Sequence, residues 1–122
     1  MSTRNITVFY KWTAKPNQFG ALKAIYQDVK NEMEANEPGA LQMQCWLDEE
    51  QGALVVFDLF ENGDALGMHL GTTAAGHFWQ LGEIAVPGPF FFCGDVPEEL
   101  KQAAIGMNMG AEFSTHAMGF VR

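Results

Sequence analysis

Residues 53–81, ALVVFDLFENGDALGMHLGTTAAGHFWQL, carry the clearest indication of the fold. Its first eight residues are apolar except for Asp58, which is typical of a central strand covered on both faces. An Asn-Gly-Asp turn at 62–64 follows, and then a helical segment that carries His69 and His77. This order predicts a strand–turn–helix unit that gathers a carboxylate, imidazoles and aromatic rings near one junction.

The length and charge of the chain limit its class. At 122 residues we expect one domain, and seven Lys and Arg residues against fifteen Asp and Glu residues give a net charge of -8. Such an acidic chain repels phosphate backbones, so nucleic-acid binding is disfavoured. No apolar run reaches the roughly 18 residues of a membrane span, and the N-terminal residues lack a signal-peptide pattern. We therefore expect a cytoplasmic protein with no membrane partner.

The spacing of the two cysteines is not typical of a redox or metal site. The same holds for the His, Asp and Glu residues. Cys45 and Cys93 each lie in a strand-like segment, and neither belongs to a CxxC pair. We interpret both as reduced, packed thiols. No cluster of His, Asp and Glu has metal-ligand spacing, so we predict no metal site.

Outward from the opening stretch, hydrophobic periodicity predicts alternating strands and helices. The predicted elements are a strand at 6–12, a helix from Phe19 to about Asn36, strands at 40–48 and 53–60, a helix at 63–71, a strand at 90–93, a helix from Pro97 and an extended piece at 113–120. The order βαββαβ is typical of an α+β, ferredoxin-like antiparallel sheet with strand order 4-1-3-2 and both helices on one face. Cys45 and Cys93 then lie too far apart for a disulfide.

The strands carry apolar residues on both sides, although helices cover one side only. The candidates for the uncovered side are Phe9, Tyr10, Trp12, Trp46, Phe90, Phe91 and Phe92. A bare apolar face of this size is uncommon in a monomer. We therefore predict a homodimer in which two sheets close face to face.

Four matching pieces resemble the antibiotic biosynthesis monooxygenase family, whose members are dimeric α+β barrels of this topology. The pieces are residues 8–16, residues 37–41 (EPGAL, the family's E-x-G-x-L), residues 56–61 and residues 64–72. The resemblance covers residues 5–93 of the single domain 1–122, and the 94–122 extension lies outside it. Asp58 stands where Glu is common and Phe60 where Trp is common. The family's second histidine is matched by His77 only if residues 72–76 contain an insertion.

The resemblance implies a monooxygenase that needs no cofactor and acts on a small aromatic molecule, a hydroquinone or a polyketide-like phenol. The pocket is expected between the second helix and the sheet, with His69 as the base that deprotonates the substrate and Asp58 as its helper. The residues predicted to contact substrate are Asn5, Tyr10, Trp12, Trp46, Phe60, His77 and Trp79.

Each of these assignments has a plainer alternative. His69 could be a structural residue, Asp58 could cap the helix that follows it, and Asn5, Tyr10, Trp12 and Trp46 could fill a dimer core. The whole protein could equally be a non-oxygenase of the same fold, either an isomerase or a small-molecule binding and dimerisation module without turnover.

Overall fold

The computed structural model describes residues 4–122. Its elements are β1 (Ile6–Ala14), α1 (Phe19–Asn36), β2 (Ala40–Asp48), β3 (Ala53–Phe60), α2 (Gly63–His69), a π-helical turn (Leu70–Ala74), α3 (Ala75–Ile84), β4 (Ala85–Cys93), α4 (Glu98–Gly106) and β5 (Ala111–Ser114). The predicted α+β class is confirmed. No helix in the described part of the chain is long and apolar enough to cross a membrane.

The five strands form one mixed sheet in the order β2-β3-β1-β4-β5. The first four are antiparallel to their neighbours, whereas β5 pairs in parallel with β4. The sheet is therefore larger than the predicted four antiparallel strands, because part of the C-terminal extension adds to it. Cys45 and Cys93 lie on strands separated by two others; both thiols are free, and both are exposed rather than packed.

Helix α1 covers the sheet through a single apolar stripe, as its spacing predicts. The buried residues Leu22, Ile25, Tyr26, Val29 and Met33 recur every three or four positions. All five point to the sheet and belong to the main hydrophobic core. The stripe includes one residue with a hydroxyl group, Tyr26, which places a polar group inside that core.

The two faces of the sheet differ because side chains alternate along each strand. Of the seven aromatic candidates, Tyr10, Trp12, Phe90 and Phe92 are buried beneath the helices. The opposite face carries the partly exposed Phe9, Trp46 and Phe91, and Phe9 pairs across the strands with Phe91 and with Phe57. Three of the seven aromatic candidates thus lie on the face that no helix covers.

The C-terminal extension packs against the core. Its helix α4 buries Ala104, and Phe113 of β5 stacks on Phe92 of β4 with ring centroids 5.3 Å apart. Met109, between the two elements, is also buried in the core. The predicted extended piece at 113–120 forms a strand only up to Ser114.

Gly39, at the entry to β2, provides a test of how closely α2 approaches this turn. A Cβ at Gly39 would lie 2.6 Å from the Cβ of Ala65. We expect Gly39→Ala to lower the free energy of unfolding by about 1–3 kcal/mol, since the helix must shift. The measurement is urea denaturation followed by far-UV circular dichroism.

The matched control is Gly20→Ala in the first turn of α1, where a new Cβ meets nothing within 4 Å. There alanine should be neutral or stabilising by up to about 1 kcal/mol, because glycine disfavours helix. Equal stability of Gly39→Ala and the parent would contradict the close packing.

Candidate active site

A cavity lies between the inner face of the sheet and the helical segment that follows β3. Its wall is mostly aliphatic and aromatic, and the polar residues in it are Tyr10, Tyr26, Asp58, His69 and His77. The free interior is about 40 Å³, compared with roughly 150 Å³ for an engineered cavity that binds benzene. This is the predicted location, between the second helix and the sheet, but the space is narrow.

A chain of hydrogen bonds crosses the buried wall and ends on Asp58. Trp12 Nε1 donates to Tyr26 Oη (3.0 Å), Tyr26 Oη donates to Tyr10 Oη (3.2 Å), and Tyr10 Oη donates to Asp58 Oδ2 (3.0 Å). Asp58 is 1% exposed. Its other oxygen, Oδ1, is buried with no hydrogen-bond partner among the described residues. Asp58, which lines the cavity, therefore has one oxygen that accepts a hydrogen bond and one oxygen without a partner in the described part of the chain.

Burial has the largest effect on the pKa values of the acidic groups in this hydrogen-bond chain. It raises the pKa of Asp58 to about 6, although the charge of His69 and the bond from Tyr10 oppose the shift. Burial also raises the pKa of Tyr10 and of Tyr26 well above the usual value, and the nearby Asp58 adds to both shifts. Both phenols thus stay protonated and remain donors at neutral pH.

His69 is held by a carboxylate at the end of α1. Its Nδ1 lies 3.1 Å and 3.2 Å from the two carboxyl oxygens of Glu37, which is only 3% exposed. Burial raises the pKa of Glu37, but the bond and charge of His69, together with Thr73, outweigh it and leave the pKa below its usual value. Glu37 is therefore ionised and accepts the Nδ1 proton, so that Nε2 is the ring nitrogen available to a ligand.

His77 reaches the same cavity by way of the π-helical turn. A π-helix turns through a smaller angle per residue than an α-helix, so the turn at Leu70–Ala74 changes which side α3 presents. His77 Nε2 lies 2.8 Å from Glu32 Oε1 of α1, while Nδ1 is buried with no partner among the described residues. The π-helical turn overlaps residues 72–76, where a match of His77 to the second histidine of the family needs an insertion.

Six of the nine predicted site residues line the cavity: Tyr10, Trp12, Asp58, Phe60, His69 and His77. The other three do not. Asn5 donates from Nδ2 to the carbonyl of Phe60 at 3.3 Å, Trp46 lies on the outer sheet face, and Trp79 is 82% exposed on α3. Asp58 does not cap the next helix; Asn62 does, since its side chain accepts from the amide of Ala65.

Sequence reasoning missed residues that α1 and the C-terminal extension contribute to the site. Glu37 follows the last turn of α1, where a carboxylate meets the negative end of the helix dipole. That unfavourable position is a signal that another group holds it. Tyr26 is recognisable as a phenol within an apolar stripe, whereas nothing in the sequence places Met107 and Met109 in the wall.

A metal-binding arrangement is not part of this geometry. Within residues 4–122, no three His, Cys, Asp or Glu side chains come together in a way that could hold a metal ion.

Solved structures share this fold. MupZ from Pseudomonas fluorescens superposes with a TM-score of 0.79 at 17% identity over 98% of this chain and 95% of its own. An antibiotic biosynthesis monooxygenase candidate from Caulobacter crescentus CB15 gives 0.67 at 25% identity, covering 76% of this chain and 91% of its own. SnoaB, a cofactor-independent oxygenase from Streptomyces nogalater, gives 0.63 at 12% identity, covering 73% and 90%.

No protein-family model and no curated protein matches the sequence. The structural neighbours nevertheless confirm, at the level of the fold, the resemblance to antibiotic biosynthesis monooxygenases. MupZ is similar over nearly the whole chain, so the C-terminal extension also has a structural counterpart.

The raised pKa of Asp58 predicts how stability depends on pH. Between the unfolded pKa of 3.8 and the folded pKa of about 6, the native state binds more protons than the unfolded state. This carboxyl therefore lowers stability as pH rises through that window. We expect Asp58→Asn to gain stability relative to the parent by about 2 kcal/mol between pH 4.5 and pH 7.5.

Urea unfolding at the two pH values measures this difference. Asp28→Asn, the same substitution at an exposed position of α1, serves as the control and should show no such gain. A parallel pH dependence of Asp58→Asn and the parent would rule out the shifted carboxyl.

Proposed function

We propose that this protein is a cofactor-independent monooxygenase of a small, electron-rich aromatic such as a hydroquinone or a polyketide-like phenol. The observation that carries the proposal is His69 in the wall of a mostly apolar cavity, with Nδ1 bound to the buried Glu37. The fold supports it, since SnoaB, an oxygenase that needs no cofactor, is a structural neighbour.

In this proposal His69 Nε2 is the base. Glu37 accepts a hydrogen bond from the Nδ1–H of the neutral imidazole. The lone pair is therefore on Nε2, and in this proposal Nε2 faces the substrate hydroxyl. Glu37 acts as a positioning residue, because it holds the ring and stabilises the imidazolium once the proton arrives. Asp58, whose pKa is about 6, is a second group able to take up a proton near neutral pH.

The reaction proceeds on the substrate itself. His69 removes the hydroxyl proton, and the resulting phenolate passes one electron to O2, which forms superoxide and an aryloxyl radical. These combine at a ring carbon into a peroxide, which takes the proton back from His69. Loss of water, using the hydrogen of that ring carbon, leaves a new carbonyl. A phenol and O2 thus yield a quinone and one water. The apolar wall favours these steps by excluding bulk water.

A ring needs more room than the free interior offers. Met107 and Met109 of the C-terminal extension form part of the wall, and methionine side chains are unbranched and flexible. We propose that these two side chains move aside when the substrate enters.

The outer sheet face supports the homodimer as part of the same proposal. Phe9, Trp46 and Phe91 leave it apolar and partly exposed in the single chain. Two such faces in contact would remove this surface from water. The cavity itself lies on the opposite side of the sheet, so the dimer supports the sheet rather than closing the site.

The narrow interior favours a second candidate, a protein of this fold that is not an oxygenase. An isomerase or a small-molecule binding module needs no space for O2 beside the ligand. Oxygen uptake separates the two, because only the monooxygenase consumes one O2 for each substrate.

Replacement of His69 tests the catalytic assignment. His69→Gln replaces the imidazole by a polar amide that cannot act as a base. We therefore expect oxygen consumption with a hydroquinone to fall at least tenfold. An oxygen electrode measures the rate, and a thermal melt checks the fold. His116→Gln, at an exposed histidine of the C-terminal segment, should keep the parent rate. Full activity in His69→Gln would disprove the role of the imidazole.

Replacement of Phe9 tests the dimer. Phe9→Glu puts a charge at the centre of the outer face, and we expect the dimer dissociation constant to rise at least tenfold, because the carboxylate must lose its water. Analytical ultracentrifugation over a concentration series measures it. Ile105→Glu, at an exposed apolar position of α4, is the control and should sediment like the parent. A parent protein that sediments as a single chain at micromolar concentration refutes the dimer.

A further inference from the structure

The cavity wall contains polar atoms whose hydrogen-bonding capacity the protein itself does not use. Asp58 Oδ1 and His77 Nδ1 are both buried, and neither has a partner among the described residues. Most buried polar atoms in proteins are paired, so an unpaired one calls for an explanation. The two residues that carry these atoms both line one cavity, so a ligand that enters it is a candidate for the missing partners.

The bonds already made determine what kind of partner each atom needs. Tyr10 donates to Asp58 Oδ2, so the carboxylate offers Oδ1 as an acceptor. Glu32 occupies His77 Nε2 as a carboxylate acceptor, so in the neutral imidazole this nitrogen carries the proton and Nδ1 offers a lone pair. The neutral form of His69 follows the same pattern, because its Nδ1–H donates to Glu37 and Nε2 then carries the lone pair.

The hydrogen-bond donors of the cavity wall, by contrast, are already used within the protein. Trp12, Tyr26 and Tyr10 each donate their single polar hydrogen within the chain that ends on Asp58. With both imidazoles neutral, the free polar capacity of the wall therefore consists of acceptors. A ligand that pairs with these acceptors must carry hydrogen-bond donors. A ligand with only carbonyl or ether oxygens would place its own lone pairs against those of the wall.

We propose that Asp58 and His77 are specificity-determining residues that select a dihydroxylated aromatic ligand by accepting one hydrogen bond from each of its hydroxyl groups. The inference rests on the proposed function only in taking this cavity as the substrate site. It adds that the ligand is recognised by the number of hydrogens it donates, at two separate points of the wall.

The same recognition discriminates against the oxidised product. In the proposed reaction the substrate hydroxyl loses its proton and its oxygen becomes a carbonyl, so a donor is replaced by an acceptor. That oxygen then faces an unprotonated wall atom and its hydrogen bond is lost. Turnover itself thus weakens binding, and the quinone leaves a site that holds the hydroxylated substrate.

The test compares the binding of three compounds that have nearly the same shape. Hydroquinone, 4-fluorophenol and 1,4-difluorobenzene carry two, one and no hydroxyl donors on the same ring. Isothermal titration without oxygen at pH 8, where Asp58 is ionised, measures binding alone. We expect affinity to fall about tenfold for each donor removed, as for a hydrogen bond to a buried acceptor.

Two variants assign the effect to the named residues. His77→Phe keeps a ring and removes the acceptor, and its partner Glu32 is half exposed, so that the carboxylate stays hydrated. We expect its preference for hydroquinone over 4-fluorophenol to shrink to about twofold or less. Asp58→Asn should lose preference in the same way, whereas His116→Phe, at an exposed histidine, should keep the parent series.

Equal affinity for the three probes, no binding of any of them, or an unchanged series in both variants would overturn the inference. The outcome is separable from that of the proposed function. Graded binding without oxygen uptake would leave the recognition standing and reject the monooxygenase. Oxygen uptake with equal affinities would reject the recognition alone.

Discussion

The desolvation of one carboxyl group in the central strand shapes the interior of this protein. Asp58 lies in β3 between two neighbouring strands and under the helices, where an ionised oxygen has no water to solvate it. The chain responds by aligning Tyr10, Tyr26 and Trp12 into a directed line of donors that terminates on it. That line stabilises one oxygen, and the other remains available to the cavity. Because these donors already take part in the chain that ends on Asp58, they are not free to donate a hydrogen bond to a ligand.

Helix α1 contributes as much to the site as the histidine-bearing segment does. Glu32 lies in its C-terminal half and Glu37 directly follows its last residue, and each binds one of the two cavity histidines. The spacing of five residues between the two carboxylates and of eight between the histidines would not match along two regular helices. The π-helical turn between α2 and α3 changes the angle through which the second segment rotates. Both carboxylate–histidine pairs form with this irregular turn between the two histidines.

Much of the fold could be predicted from the sequence, because the signals were local. Strands β2 and β3 and helix α1 begin and end where alternation, the 3.6-residue stripe and the Glu-Pro-Gly stop indicate. Strand β4 was predicted too short, since Pro87 and Pro89 interrupt it while it still pairs with β1 through an irregular register. The site was harder. Asp58 and His69 stand out in their segments, but the exposure of Trp79 and the partnership of Glu37 depend on rotation and long-range contact, which periodicity does not encode.

The contribution of the C-terminal extension to the cavity has a consequence for biosynthesis. Met107 and Met109 complete the wall, and β5 covers the edge of β4, yet these residues emerge from the ribosome after the other four strands. Until translation has passed residue 114, the growing chain exposes an open hydrophobic hollow beside an unpaired strand edge, a combination that invites association with other chains. The hollow closes only when this late segment docks, after which the edge of β4 is paired and β5 becomes the edge strand of the sheet.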